Sequence, residues 1–272
     1  MNFTVLISLY QKEKPEFLRE CLESLKNQTL PATEIVMVYD GAITTELQEV
    51  VTQFITFLPI KIVRLSQNVG LGKALNEGLK HCSYNWVFRM DSDDICLPNR
   101  FEKQVAFITQ HPNVVLLSGY IAEFKEDKNT ISSYRKVPIG SEKIKKYALS
   151  RSPFNHVTVA FRKNIIEEVG GYQHHLFLED YNLWLRVIAK GYEVGNLGET
   201  LVLVRAGDSM VSRRRGKEYI KGEWQLFKLK HSLKLQPLLP NFFIFTLRAS
   251  LRILPTSLLK VVYKFLRKKD KL

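Results

Sequence analysis

The segment Asp91-Ser92-Asp93-Asp94 has the composition of a cation site. It follows an apolar run and precedes Pro98, so the carboxylates of Asp91 and Asp93 are expected to face one crevice. Carboxylates held together repel each other unless a cation lies between them, and oxygen-only ligation suits Mg²⁺ or Mn²⁺. The pattern therefore predicts a divalent metal site. The alternative is an acidic turn that caps the next helix.

A second pair of carboxylates, Glu179 and Asp180, stands at the start of an apolar segment with helical spacing. A carboxylate at this place often serves only as a helix N-cap. If Asp180 instead faces the same crevice as Asp91 and Asp93, it is placed to take a proton from an attacking hydroxyl. The residues alone leave both interpretations open.

The segment Asn68-Val-Gly-Leu-Gly72-Lys73 resembles a phosphate-binding turn in part. Leu75 stands where the dinucleotide motif G-x-G-x-x-G requires its third glycine, so that motif is incomplete. A Gly-rich turn that leads into a helix can still bring backbone close to a nucleotide, with Lys73 or Arg64 near its phosphates. The alternative is an ordinary loop between a strand and a helix.

These residues follow apolar runs that alternate with helical patterns. Runs without in/out alternation predict strands covered on both faces, and hence a doubly wound, mostly parallel α/β sheet that binds ligands at the carboxyl ends of its strands. The predicted strands are 3–10, 34–39, 60–65, 85–90, 114–120 and 155–161. The predicted helices begin at Pro15 and cover 45–56, 72–81, 101–110, 163–169 and 180–190, and residues 125–135 are a polar stretch.

In their order along the chain, the motifs resemble those of glycosyltransferase family 2, the inverting transferases of GT-A fold that use nucleotide-diphosphate sugars. The matching segments cover roughly residues 3 to 205 and are Val5–Tyr10, Val38-Tyr-Asp40-Gly41, Asn68–Gly78, Asp91-x-Asp93-Asp94 and Leu178–Arg186. Within the family, the most similar subgroup is the bacterial exopolysaccharide and O-antigen transferases of the amylovoran-synthesis type. The similarity lies in their Asn-His strand, which resembles Asn155-His156, and their Arg-rich loop, which resembles residues 205–215.

The resemblance implies a role for individual residues. Asp180 would be the catalytic base and Asp93 the metal ligand, with Mn²⁺ or Mg²⁺ as cofactor. The implied nucleotide-sugar contacts are Ser8, Tyr10, Asp40, Asn68, Gly72, Lys73, Asp91 and Ser92, and the implied acceptor or diphosphate contacts are Asn155, His156, Glu179, Trp184, Arg205, Arg213 and Arg214. Tyr39 departs from the family by replacing the first Asp of its usual pair, at a position implied to contact base or ribose.

The implied reaction moves a hexose, galactose or glucose, from a UDP-sugar to a sugar carried on a polyprenyl diphosphate. Asp180 would deprotonate the acceptor hydroxyl for in-line attack at the anomeric carbon, while the metal neutralises the leaving diphosphate. This mechanism requires the aspartates at 40, 91, 93 and 180 to converge on one pocket.

The charge of the chain is concentrated at its C-terminus. The net charge is +13, and the last 68 residues carry 17 basic and 4 acidic side chains, whereas residues 1–204 carry 23 of each. We therefore divide the chain into a catalytic domain, 1–205, and an extension, 206–272. The residues around Arg213 and Arg214 form either a loop that closes over diphosphates or a solvated linker. Residues 238–272 form a basic amphipathic segment, divided by Pro240 and Pro255, that either binds anionic lipid or packs on its own domain.

The remaining features bound the class and location of the protein. A composition of 45% hydrophobic and 25% charged residues excludes a disordered chain. Three cysteines without paired spacing favour a reducing compartment, and no run reaches the length of a membrane span. We expect a cytoplasmic protein, peripheral on the inner face of the bacterial plasma membrane and without a nucleic-acid partner. A basic nucleic-acid-binding protein leaves the carboxylates unexplained, and a noncatalytic membrane scaffold predicts no sugar transfer.

Overall fold

The computed structural model describes residues 1–206 and 215–255, and a nine-stranded sheet lies at the centre of this part of the chain. Its strands run in the order β3-β2-β1-β4-β8-β6-β9-β5, and β7 pairs with β6. The strands are β1 (Thr4–Leu9), β2 (Glu34–Tyr39), β3 (Ile60–Arg64), β4 (Trp86–Asp91), β5 (Ile95–Cys96), β6 (Val114–Phe124), β7 (Ile131–Arg135), β8 (Ala160–Arg162) and β9 (Glu193–Arg205).

Helices cover both faces of the sheet, as the predicted α/β class requires. Alternate residues of β2 divide between two cores: Ile35 and Met37 pack with α1 and α2, whereas Val36 and Val38 pack with α3 and α7. The helices are α1 (Pro15–Lys26), α2 (Thr45–Ile55), α3 (Leu71–His81), α4 (Arg100–Gln110), α5 (Ser141–Ala148), α6 (Lys163–Glu168), α7 (Glu179–Ala189), α8 (Lys217–Ser232) and α9 (Leu238–Leu251).

The first four strands along the chain, β1 to β4, are parallel, which brings their carboxyl ends to one edge of the sheet. In the pairing of β1 with its two neighbours, Ser8 lies opposite Val38 on β2 and opposite Asp91 on β4. The later strands are mixed: β8 runs antiparallel between β4 and β6, and β9 is parallel to β6 but antiparallel to β5. The parallel half therefore carries the site, and the mixed half extends the sheet beside it.

Residues 155–161 do not form the single strand predicted from the sequence. They form a 3₁₀ turn at His156–Thr158, and the strand β8 starts only at Ala160. The Oγ1 of Thr158 donates to the carbonyl of Asn155 at 2.9 Å, and the Nδ2 of Asn155 donates to the carbonyl of Gly119 at 2.7 Å. The local bond of Thr158 competes with the strand ladder and favours a turn, and the bond of Asn155 ties this turn to β6.

The helices after β9 pack on the body of the protein. Tyr219 and Leu226 of α8 lie in the same core as Trp184 of α7, and α9 packs along α8. The prediction that Pro240 separates short helices is wrong, because Pro240 lies in the first turn of α9, where a missing N–H breaks no helical bond. Within residues 1–206 and 215–255, no helix combines the length and apolar character needed to cross a bilayer. The boundary at 205 stays a prediction.

Some residues of the predicted extension lie outside the described ranges. These are Arg213 and Arg214 of the basic loop and residues 256–272 of the amphipathic segment.

Candidate active site

The carboxyl end of β4 holds Asp91 in a fixed position. The buried guanidinium of Arg89, two residues earlier on the same strand, forms an ion pair with the Asp91 carboxylate, and the thiol of Cys21 on α1 donates to the Asp91 carbonyl at 3.2 Å. Burial alone would lower the pKa of Arg89, but the charge and hydrogen bond of Asp91, together with the charges of Tyr172 and Asp94, outweigh it and raise that pKa. Arg89 therefore stays charged and restrains Asp91 next to Ser8 of β1.

The next two aspartates are crowded by their own neighbours. Burial, and then the charges of Asp91 and Glu13, raise the pKa of Asp93 to about 7. Burial and the charge of Asp91 likewise raise the pKa of Asp94, whose Oδ1 accepts a hydrogen bond from the Arg205 backbone at 2.9 Å. The hydroxyl of Ser92 donates to Glu13 at 2.7 Å. Excess negative charge is thus concentrated immediately after β4.

This donor set fits a divalent cation that is shared with a substrate. In the described part of the chain, no group of three or more His, Cys, Asp or Glu side chains is arranged to hold a metal. Asp91 and Asp93 offer oxygen ligands only, and Mg²⁺ and Mn²⁺ are commonly bound by one or two carboxylates together with substrate phosphates. The electrostatic repulsion that raises the pKa of Asp93 is what a cation would relieve.

Asp40, at the end of β2, holds the glycine-rich loop. Its carboxylate accepts hydrogen bonds from Asn68 Nδ2 at 3.0 Å, Val69 N at 2.7 Å and Gly70 N at 3.1 Å. These bonds occupy both oxygens of a side chain that is almost fully buried. The structure therefore places Asp40 beneath the loop. Its predicted contact with a nucleotide base stays a prediction.

A cavity of about 900 Å³ brings distant segments together. Asp91, from the end of β4, and Asp180, from the first turn of α7, both line it. The predicted site residues in its wall are Gly72, Asp91, His156, Glu179 and Asp180. The other predicted residues of the described ranges, including Asp40 and Asp93, lie outside this wall. The expected convergence of four aspartates thus holds for two of them.

Near Asp180, the cavity wall contains side chains whose pKa values are shifted by burial. His156 shares a hydrogen bond with the hydroxyl of Tyr172, with 2.8 Å between Nε2 and the oxygen. Burial, and then the charge of Arg89, lower the pKa of His156, so its imidazole is neutral. Burial raises the pKa of Glu179. Gly72 of α3 lies beside Glu179: a Cβ on this glycine would lie 3.7 Å from Glu179 Cγ, an ordinary van der Waals contact.

Two predicted acceptor contacts lie in the interior. Trp184 is fully buried, with its ring edge-on to Phe154 and to His156. Asn155 is equally buried, and its Oδ1 accepts from Arg135 at 2.6 Å. Both residues support the turn that presents His156 to the cavity, so the structure gives them packing and positioning contacts.

Arg205 and the exposed predicted residues lie outside the cavity wall. The guanidinium of Arg205 pairs with Glu20 and lies over the ring of Phe17, 3.8 Å from the ring centroid. Arg205 therefore connects the end of β9 to α1. This engagement differs from the diphosphate contact predicted for it. Tyr10, Asn68 and Lys73 are exposed beside the carboxyl ends of β1 and β3.

Sequence reasoning missed Arg89, which holds Asp91, and Phe177, which lines the cavity. Arg89 carried a usable signal, since an arginine within an apolar strand needs a partner there. Phe177 had none: its backbone has φ 62°, and its exposed ring stacks on Tyr219 with 5.1 Å between ring centroids. Strained residues of this kind concentrate at functional sites.

The sequence profile described as "Glycosyl transferase family 2" matches residues 4–170. The chain belongs to glycosyl transferase family 2. Members of known product are similar over nearly the whole chain. The amylovoran biosynthesis glycosyltransferase AmsE of Erwinia amylovora is 48% identical, covering 98% of this chain and 99% of its own. The UDP-Gal:alpha-D-GlcNAc-diphosphoundecaprenol beta-1,3-galactosyltransferase of Escherichia coli is 38% identical, covering 97% and 95%.

Solved structures share the fold of this glycosyltransferase. S. aureus TarS 1–349 in complex with UDP-GlcNAc superimposes with a TM-score of 0.65 at 19% identity, covering 90% of this chain and 70% of its own. The mannosyltransferase PcManGT from Pyrobaculum calidifontis, in complex with GDP-Man and Mn²⁺, also has a TM-score of 0.65, at 17% identity over 97% of this chain and 80% of its own. The GT-A fold predicted from the motifs is confirmed.

Proposed function

We propose that this enzyme transfers galactose or glucose from a UDP-sugar to a sugar linked through a diphosphate to a polyprenyl lipid, in the assembly of a bacterial surface polysaccharide. The observation that carries the proposal is that Asp91 and Asp180 line one cavity. Both substrates are supported by the Escherichia coli relative, whose name gives UDP-Gal and GlcNAc-diphosphoundecaprenol, and the polysaccharide by the amylovoran relative. The UDP-sugar is also supported by the UDP-GlcNAc complex of TarS.

The donor lies at the carboxyl ends of β1, β2 and β4 in this proposal. Ser8 and Asp91, side by side in the sheet, contact the nucleoside, and Arg89 restrains Asp91 from behind. Asp91 and Asp93 would hold Mn²⁺ or Mg²⁺ together with the diphosphate of the donor. When bound, the ion neutralises the negative charge that develops on the leaving nucleotide. The loop held by Asp40 brings backbone close to the same end of the sheet.

Asp180 takes the proton of the acceptor hydroxyl in this proposal. It lies in the first turn of α7 and faces the cavity shared with Asp91. The hydroxyl oxygen attacks the anomeric carbon as the bond from that carbon to the donor phosphate breaks, and the proton passes to the Asp180 carboxylate. A single displacement of this kind inverts the configuration at the anomeric carbon.

The outward face of α9 places the enzyme at the membrane in this proposal. Leu239 and Phe243 are 81% and 67% exposed, whereas Asn241 and Arg248 of the same helix face the protein. An exposed apolar face combined with an excess of basic residues binds the surface of anionic membranes. The acceptor sugar is presented at the cytoplasmic side of the plasma membrane, where this face holds the cavity near it.

The test is a transfer assay. Purified protein with Mn²⁺, a panel of nucleotide sugars and a synthetic GlcNAc-diphosphate-lipid should give a product heavier by one hexose with a UDP-sugar. Asp180→Asn should lower turnover by about 10² to 10⁴ with donor binding retained, the usual contribution of a general base. Asp127→Asn, at an exposed turn, is the matched control. Absence of product with every nucleotide sugar would overturn the proposed transferase function. Unchanged turnover of Asp180→Asn would show that Asp180 is not the general base. Activity that survives EDTA would show that the reaction needs no divalent cation.

A further inference from the structure

The chain that follows α5 is held by side chains from three other helices. The hydroxyl of Tyr181 on α7 donates to the carbonyl of Ala148 at 2.5 Å. The ammonium of Lys230 on α8 donates to the carbonyl of Leu149 at 2.9 Å, and Arg248 of α9 donates to that of Ser150 at 2.8 Å. Three consecutive carbonyls are thus fixed by α7, α8 and α9.

The same segment is held from its other side by β7. Arg135 donates to the carbonyl of Ser152 at 2.9 Å and to that of Phe154 at 3.2 Å. Arg151 lies between these two anchored stretches, so its backbone is restrained in both directions. A rigid mount for a long side chain reduces the freedom that a bound ligand must remove, which favours affinity.

Among the described arginines of this cavity wall, Arg151 is the one whose guanidinium contacts no acidic or hydrogen-bonding group of the protein. It is partly buried and lines the cavity. Among the residues that the structure describes, its guanidinium makes no hydrogen bond or ion pair, whereas Arg135 is bonded to the segment itself and Arg248 and Arg252 are paired with Glu223. A preorganised arginine that faces a cavity without a protein partner is suited to an anionic ligand.

The segment that carries Arg151 adjoins both the carboxylate at the start of α7 and the apolar residues of α9. Through Tyr181 its segment adjoins the first turn of α7, which carries Asp180. Through Arg248 it adjoins α9, which contributes Ile244, Leu247 and Leu251 to the cavity wall. Asp180, the Arg151 cation and the apolar residues of α9 thus lie in adjoining parts of one cavity wall.

We propose that Arg151 binds the diphosphate of the lipid-linked acceptor, between the acceptor sugar at Asp180 and the first lipid units on α9. This inference rests on the proposed function and deepens it. The acceptor carries groups that match these three features of the wall: a sugar hydroxyl, a diphosphate and an apolar chain. The donor diphosphate belongs with Asp91 and Asp93 at the end of β4, whereas the Arg151 segment is attached to α7, α8 and α9.

The test separates the acceptor diphosphate from the donor. Initial rates are measured for the wild type, Arg151→Ala and Arg151→Lys with GlcNAc-diphosphate-lipid and with a GlcNAc alkyl glycoside that lacks phosphate. Arg151→Ala should raise KM for the diphosphate acceptor about 10- to 100-fold, the loss expected for charged hydrogen bonds, with Arg151→Lys between it and the wild type. KM for the UDP-sugar and for the phosphate-free acceptor should stay within about twofold. Lys146→Ala, which removes an exposed charge from α5 outside the cavity wall, is the matched control.

Other outcomes overturn the assignment. A rise of KM for the UDP-sugar would make Arg151 a donor residue, and equal changes with both acceptors would make it structural. Absence of product from the wild type would refute the proposed function instead. The binding of each variant to phosphatidylcholine nanodiscs that carry GlcNAc-diphosphate-lipid then tests Arg151 without turnover: loss in Arg151→Ala supports it and equal binding refutes it. Weaker binding of Arg151→Ala to phosphatidylglycerol vesicles without acceptor would assign the residue to lipid headgroups and overturn the proposal.

Discussion

Replacing Glu223 by Gln should loosen the C-terminal helices from the body of the enzyme. Glu223 on α8 is almost fully buried, and its carboxylate accepts hydrogen bonds from Arg248 at 2.6 and 3.0 Å and from Arg252 at 2.7 and 3.1 Å. Arg248 also donates to the carbonyl of Ser150. One carboxylate thus compensates two arginines that join α8, α9 and the wall of the cavity.

The magnitude follows from the burial of this cluster. Removing one partner of a buried ion pair costs about 3–5 kcal/mol, because the opposite charge is left uncompensated in the interior. For a chain of this size 1 kcal/mol lowers the melting temperature by about 2–4 °C, so Glu223→Gln should melt about 6–20 °C below the wild type. Glu218→Gln breaks an exposed pair with Lys221 on the same helix and should change stability by less than about 1 kcal/mol.

The pH dependence has a definite sign. Burial alone would raise the pKa of Glu223, but Arg248 and Arg252 outweigh it and hold that pKa below its ordinary value of 4.5. The pair therefore contributes its full stability above pH 4.5 and loses it as the pH falls through the lower pKa of the folded state. The difference in the free energy of unfolding between the wild type and Glu223→Gln should become smaller in that acidic range.

Urea unfolding followed by circular dichroism, together with calorimetry, measures these differences for Glu223→Gln and Glu218→Gln. Equal stability of Glu223→Gln and the wild type at pH 7 would refute the reasoning. So would a loss that Glu218→Gln reproduces in full, because the two substitutions differ chiefly in the burial of the carboxylate.

Two further predictions concern other parts of the enzyme. Asp40→Asn replaces one of the two carboxylate oxygens by an NH₂ group, so it loses the acceptor for Val69 N–H or for Gly70 N–H. It should lower the free energy of unfolding by about 1–3 kcal/mol and raise KM for the UDP-sugar, as measured by urea unfolding and initial rates. Unchanged values would contradict the loop-holding role. Leu239→Gln combined with Phe243→Gln should reduce flotation with phosphatidylglycerol vesicles. Phe57→Gln, an equally exposed phenylalanine at the end of α2, should not, and equal flotation of all variants would exclude α9 as the membrane-binding face.

The sequence by itself determined the parallel half of the sheet and the order of its motifs. The strands β1, β2 and β4 are short apolar runs buried on both faces, so each could be recognised from its own residues. The mixed half was harder to predict. β9 alternates between buried and exposed stretches along 13 residues, and β7 lies in a polar segment that becomes a strand only through pairing with β6. Edge and mixed strands of this kind depend on partners distant in sequence.

Only the tertiary structure decided what the individual polar side chains contact. The motifs predicted Asp91 and Asp180 as site residues, and the cavity brings them together. Nothing in the local sequence distinguishes Arg205, engaged by Glu20, from Arg151, which faces the cavity without a partner among the described residues. Arg205 ends the strand β9, and Arg151 follows the helix α5. The difference arises from strand register and helix docking, because these decide which charges meet and which are left to meet a ligand.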